Sequence, residues 1–335
     1  MKTFLHKFLT HLNQKKNRLP FSLGFTLIEL LIATVMSSIV ISSLLYLMLN
    51  VMQTNAKETA RKDTLQEMQV ALNFMTNDLR EAVYVYTGEE LDDRGIDTPN
   101  DGLKDIMNLP NSGNLEPILV FWKLEDAPYQ SSDSFPSDCS AASVEASERT
   151  CDQLKISRRT YTLVAYLQDS DPTDTWQGES VIYRYQLRKY NSNPFNTLEK
   201  KPEYIDPVKE SSFASWPYDD TGSLPNSGSY TLTVNRGSVG DGGKSDALVD
   251  FVDRHDNSNF SATDVSCPTG YQRTPSDASV SNSFYACVED VSGQKTVTVY
   301  LRGNPDGRAN VNFADGFTPL PTLQSSVVLR GANQD

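Results

Sequence analysis

The sequence predicts an α+β protein in which one long N-terminal α-helix, with a transmembrane half and an amphipathic half, packs on an antiparallel β-sheet domain. Three observations support this. Residues 25–56 read FTLIELLIATVMSSIVISSLLYLMLNVMQTNA, with Glu29 as their only acid or base. The turns that follow repeat apolar residues at alternating three- and four-residue spacing. Beyond residue 83, β-favouring runs alternate with turn-rich polar stretches. The expected organisation is a leader over 1–24, a transmembrane or assembly helix over 25–55, its amphipathic continuation over 56–83 and an extracytoplasmic β-rich domain over 84–335.

The chain has 335 residues, enough for one sizeable core or two modest ones. Lys2, Lys7, Lys15, Lys16 and Arg18 stand in the leader without an acid. The formal charge of the whole chain is -13, so the part after the leader carries roughly -18. That balance argues against nucleic acid as a partner, because phosphate binding needs clustered Lys and Arg.

The apolar block exceeds the ~20 residues that cross a hydrocarbon core of ~30 Å. With basic residues before it, the positive-inside rule keeps 1–24 in the cytoplasm and sends the C-terminal domain to the periplasm or exterior. The expected location is therefore the inner (cytoplasmic) membrane, in a single pass. A secretory signal is cut at small residues after its apolar stretch, whereas here Gly24 precedes it. A plain signal anchor is the bland alternative. Glu29 is the candidate functional residue of this block, since a carboxylate in an apolar helix costs several kcal/mol unless it is paired. Either it meets a positive amine or it lies shallow and snorkels to water.

Ser37, Ser38, Ser42 and Ser43 permit close helix packing, and no Pro interrupts residues 25–83. Further along, Leu65, Met68, Leu72, Met75, Leu79 and Ala82 form one apolar face. Lys57, Glu58, Arg61, Lys62, Asp63, Glu67, Asn73, Asp78, Arg80 and Glu81 are assigned to the remaining, polar surface. The run AVYVY then opens the β-rich part, followed by the turn-rich GEELDDRGIDTPNDG. Further strands are expected over 116–124, 153–168, 179–189, 229–235, 247–252, 283–291 and 294–302, the last two as a hairpin. Polar loops fill 125–150, 190–228 and 253–282, and no second long helix is expected.

Cys139, Cys151, Cys267 and Cys287 fall into two local pairs without CxxC spacing, and His255 is the only His beyond the leader. Disulfides in an oxidising compartment are therefore expected rather than zinc. Three connectivities are possible, and the local pairs Cys139–Cys151 and Cys267–Cys287 are the expected one. Asp92, Asp93, Asp97, Asn100 and Asp101 form one hard-oxygen cluster, and Asn304, Asp306, Asn310 and Asn312 another. Neither has EF-hand spacing, so solvated turns are expected and no metal or cofactor is assigned. No GxSxG, HExxH or P-loop occurs, and no enzyme is expected.

The string Gly24-Phe25-Thr26-Leu27-Ile28-Glu29-Leu30 resembles the processing signature of the type IV pilin superfamily. The resemblance implies a pilin-like fold. It also implies that a prepilin peptidase cuts between Gly24 and Phe25 and N-methylates Phe25, and that Glu29 pairs with the Phe25 amine of a neighbouring subunit. The implied partners are that peptidase, other pilins or pseudopilins, an inner-membrane assembly platform and membrane lipid. The stretch from NVMQTNAKETA through LREAVYVY resembles the minor pseudopilins of cyanobacterial hormogonium polysaccharide secretion. That implies a minor subunit of a type IV pilus or type II secretion-like machine supporting export of polysaccharide. The alternative is a minor pilin of an extended surface pilus for adhesion or motility.

Overall fold

An apolar run without Pro or Gly, followed by an apolar stripe at helical period, gives the continuous helix α1 (Leu27–Arg80) of 54 residues. The computed structural model describes residues 24, 26–92, 102–108, 115–128, 145–170, 172, 176–190, 194, 200–219, 222–223, 232–233, 235–236, 244–259, 264–289, 295–311, 313 and 320–329. The chain divides into two compact units between Asn55 and Ala56, and α1 contributes to both.

In the second unit, α1 ends where the N–H of Glu81 bonds the carbonyl of Asp78 at 3.2 Å, just short of the expected 83. Strand β1 (Ala82–Val85) follows directly. A short helix α2 (Gly88–Asp92) replaces the start of the expected turn, because Thr87 and Glu90 form a capping box. The Thr87 N–H donates to the Glu90 carboxylate at 2.7 Å, and the Glu90 N–H donates back to the Thr87 hydroxyl at 3.4 Å. Helix α3 (Leu103–Ile106) and strand β2 (Met107–Asn108) lead to the long strand β3 (Leu115–Asp126).

Helix α4 (Glu145–Ser157) corrects the sequence reading twice, since the stretch was assigned partly to a loop and partly to the strand 153–168. Its buried Cys151 and Leu154 stand three apart, a helical spacing, among good helix formers. Arg158, at φ 53°, ends the helix in the left-handed region, and β4 (Arg159–Asp169) starts only there. Strands β5 (Ser180–Leu187), β6 (Leu232–Thr233), β7 (Asn235–Arg236) and β8 (Lys244–Val252) come next. Then follow β9 (Tyr271–Thr274), β10 (Phe284–Glu289), β11 (Thr296–Arg302) and β12 (Thr322–Val328). Of these, β9 falls inside an expected loop, and β12 was not expected.

The strands build two main sheets rather than one. The first has the order β1-β3-β4-β5-β8-β7, antiparallel except for the short β7–β8 contact. The second, β12-β11-β10-β9, is antiparallel throughout and contains the expected hairpin, with Phe284 opposite Leu301 and Val288 opposite Val297. A two-residue parallel pair joins β2 to β6.

One core lies where Met68, Leu72, Met75 and Leu79 of α1 meet Phe121, Val164 and Ile182 of the first sheet and Ala286, Val299 and Leu301 of the second. The opposite face of the first sheet carries Trp122, Leu163, Leu167 and Tyr185, covered by Tyr204, Ile205 and Trp216. Strands β3 and β4 therefore read as nearly unbroken apolar runs, as sheets buried on both faces do. Trp122 and Trp216 meet edge to face at 5.3 Å, and the Trp216 indole N–H donates to the carbonyl of Ile205 at 2.9 Å.

Candidate functional site

At the start of α1, Thr26 acts as N-cap: its carbonyl accepts the Glu29 N–H at 3.0 Å and the Leu30 N–H at 3.2 Å, and its hydroxyl takes a longer bond from Glu29 N–H at 3.4 Å. Thr26 and Glu29 thus stand at capping-box spacing, and the Glu29 carboxylate sits in the first turn, where the helix dipole favours negative charge. Sequence reasoning missed this second role, although Thr-x-x-Glu before an apolar run is its signal. Phe25 and the basic leader residues lie outside the described residues. A Cβ added to Gly24 meets nothing within 4 Å, so packing within the chain does not demand glycine there.

From Leu27 to Met52 the helix keeps its large apolar side chains exposed, Leu27 at 90 % and Tyr46 at 73 %. It is long and apolar enough to cross a membrane. Three of its hydroxyls bond back to the helix: Thr34 donates to Leu31 O at 2.8 Å, Ser37 to Ala33 O at 2.7 Å and Ser38 to Val35 O at 2.8 Å. Such back-bonding lowers the cost of polar groups in an apolar medium.

The second half of α1 is built differently. Ala60, Met68, Ala71, Leu72, Met75 and Leu79 are buried, and Leu65 is half-buried. Gly303 permits the helix to approach closely, since a Cβ there would stand 2.3 Å from the Met68 sulfur. Arg308 grips the helix from the same side, its Nη1 donating to the Glu67 carboxylate at 2.8 Å and to the Thr64 hydroxyl at 3.2 Å.

Asp78 corrects the sequence reading, which assigned it to the polar surface. It is only 8 % exposed. Its carboxylate accepts Lys123 Nζ at 3.0 Å, Arg184 Nε at 2.7 Å and the Tyr166 hydroxyl at 2.8 Å. Strands β3, β4 and β5 each supply one donor, so a single carboxylate ties α1 to the middle of the sheet. Burial alone would raise the Asp78 carboxyl, but Arg184 and then Lys123 outweigh it and hold it below the ordinary carboxylate range. Burial, and next the Asp78 charge, pushes the Tyr166 phenol up.

Cys267 and Cys287 form a disulfide with Cα atoms 5.6 Å apart. Cys151 is disulfide-bonded as well, while Cys139 lies outside the described residues. The second hard-oxygen cluster organises turns: Asn304 donates to Glu179 at 3.0 Å, and the Asp306 carboxylate accepts the N–H of Phe313 at 2.7 Å. Asn310 sits at φ 58°, and Asn312 lies outside the described residues. In the first cluster, Asp92 accepts the Ser276 hydroxyl, and Asp93, Asp97, Asn100 and Asp101 lie outside the described residues. Among the described residues no three metal-ligating side chains converge. No family model, curated protein or solved structure matches this chain.

Proposed function

We propose that the chain is a minor pilin-like subunit, a pseudopilin of a type IV pilus or type II secretion-like machine, which supports export of polysaccharide. One observation carries the reading: a helical segment from Leu27 to Met52 with exposed apolar side chains, in which Glu29 in the first turn is the only acid or base. Such a surface needs hydrocarbon or neighbouring apolar helices around it. In this reading the segment sits in the inner membrane with the leader in the cytoplasm, a prepilin peptidase cuts after Gly24 and N-methylates Phe25, and the new amine of one subunit meets Glu29 of the next. The pair would turn the burial cost of a lone carboxylate into a register signal.

Mass spectrometry of the membrane-extracted protein tests the processing: the mature chain should begin at Phe25, and Gly24→Val should leave the leader attached. A mature N-terminus elsewhere removes the basis for this reading. Glu29→Val should be cut normally yet no longer co-purify with the other pilin-like subunits. Glu29→Gln, which keeps a capping-box side chain but not the charge, should be lost as completely. Recovery of the Gln variant at wild-type level would leave Glu29 with a capping role only.

A further inference from the structure

In the second unit, a cavity of about 610 Å³ opens where α1 passes β8. Asp63, Gln66 and Val70 of α1, Leu248 of β8, Trp176 and Arg308 line it. Its size is that of a small-molecule site. Asp63 stands about three turns beyond Met52, roughly 16 Å at 1.5 Å per residue, so the cavity lies past the apolar segment of the helix.

The frame of this cavity is strained in a way that fixes two of its side chains. Val252 pairs with Ser180 and Val249 with Ile182, so Asp250 and Phe251 together face Val181 in a bulge, and Leu248 is the extra residue of a second one. Phe251 sits at φ 56°, in the left-handed region that aromatic residues rarely enter. The bulge brings the Asp250 carboxylate to the segment that carries Trp176, where it accepts the N–H of Gln177 at 3.2 Å and of Gly178 at 3.0 Å, and its own neighbour Phe251 N–H at 2.7 Å. A Cβ on Gly178 would stand 2.4 Å from Asp250 Oδ1, so the approach needs glycine. The Phe251 ring in turn supports Arg308, whose guanidinium carbon lies 4.7 Å from the ring centre while the Glu67 carboxylate holds its far end.

What remains unanswered selects the ligand. Asp63 and Gln66 are exposed and bond to no described group, and neither the Arg308 Nε–H nor the Trp176 indole N–H has a described acceptor. Trp176 is half-buried, whereas Trp122 and Trp216 are fully buried in the core. A fitting ligand must donate to the Asp63 carboxylate, accept from the two N–H groups and lay an apolar face on Trp176 and Val70. An anion leaves Asp63 unanswered and a cation leaves the N–H groups so. A hydroxyl both donates and accepts, and a pyranose ring combines a rim of hydroxyls with faces of C–H groups. Asp63, Glu67 and Asp250 outnumber the single guanidinium, which disfavours uronic and sulfated sugars. We propose that this cavity binds a neutral pyranose unit of a polysaccharide, stacked on Trp176 and hydrogen-bonded by Asp63, Gln66 and Arg308. The binding step rests on the cavity alone, and its part in export rests on the reading proposed above.

Isothermal titration calorimetry on the full-length protein, in a zwitterionic detergent without a sugar headgroup, tests the site with three neutral glucose hexamers: cellohexaose, maltohexaose and laminarihexaose. At least one should bind saturably, and hexagalacturonate, of similar length but anionic, should bind at least about tenfold more weakly. Trp176→Ala should weaken the neutral hexamer at least about tenfold, and Trp176→Phe, which keeps an aromatic face, should recover most of that loss. Asp63→Ala changes an exposed helix position without a described partner, so it should leave the unfolding midpoint in place and still weaken binding about tenfold. Binding of none of the three hexamers overturns the proposal, as does affinity indifferent to both Trp176→Ala and Asp63→Ala, or equal affinity for hexagalacturonate. Processing at Gly24 is scored on the same preparation, so a chain that begins at Phe25 and binds no glycan removes this site and leaves the pilin-like reading standing.

Discussion

The two halves of α1 have the same backbone and opposite surroundings. Before Asn55, the large side chains are apolar and exposed; from Ala60 on, one stripe is buried and the rest is mostly polar, Val70 and Phe74 excepted. Each half carries one telling carboxylate. Glu29 stands exposed in the first turn, whereas Asp78 lies buried under three donors from three strands. The contrast shows that helical propensity builds both halves alike, while the medium each half meets decides what an acid in it does. Asp78 has its counter-charges in its own chain, and in the filament reading Glu29 takes its partner from another.

The comparison breaks most sharply at Asp78. Asp78→Ala would leave Lys123 and Arg184 buried without their shared anion, and should destabilise the second unit by about 3–5 kcal/mol in denaturant unfolding. A loss below ~1 kcal/mol would mean that the network does not anchor the helix.

The same substitution at two comparably exposed valines should behave differently. Val40 is 58 % exposed and Val70 is 63 % exposed. Val40→Lys should reduce membrane integration by about 2.5–3.5 kcal/mol, read as the inserted fraction in a translocation assay. Val70→Lys should change neither insertion nor unfolding by more than about 0.5 kcal/mol. Equal effects would erase the distinction between the halves.

The second sheet is braced on the face turned away from the helix, where Cys287 packs with Val265 and Tyr285, and replacing Cys267 and Cys287 with Ser should cost about 3 kcal/mol in the chain-entropy view of a bridge spanning 20 residues. Acid sharpens the contrast further. Because the folded Asp78 carboxyl lies below its ordinary value, its contribution is complete above the unfolded value and disappears as pH falls through the folded one. The stability gap between wild type and Asp78→Asn should therefore be constant near neutrality and close below about pH 4, as pH titration of the unfolding midpoint would show. Arg308→Ala should have a small effect: its partner Glu67 is 45 % exposed, so the loss should stay within ~1 kcal/mol.

Much of the architecture was legible because it rests on local chemistry. The apolar run around Glu29, the stripe Met68-Leu72-Met75-Leu79 and the hairpin at Phe284 and Leu301 all have periods a linear reading detects. Helix α4 was missed because its apolar positions, Cys151 and Leu154, are few, and the β-branched and aromatic residues just after Arg158 drew the strand backward. β12 was missed because TLQSSVV becomes a strand only through pairing with β11. The sequence by itself determined where the exposed apolar helix begins, where its amphipathic continuation takes over and that the remainder is β-rich, since side-chain period and composition set these. Only the tertiary structure decided that Asp78 is an interior anchor, because Lys123, Tyr166 and Arg184 lie 45, 88 and 106 residues away and converge on it through sheet register alone.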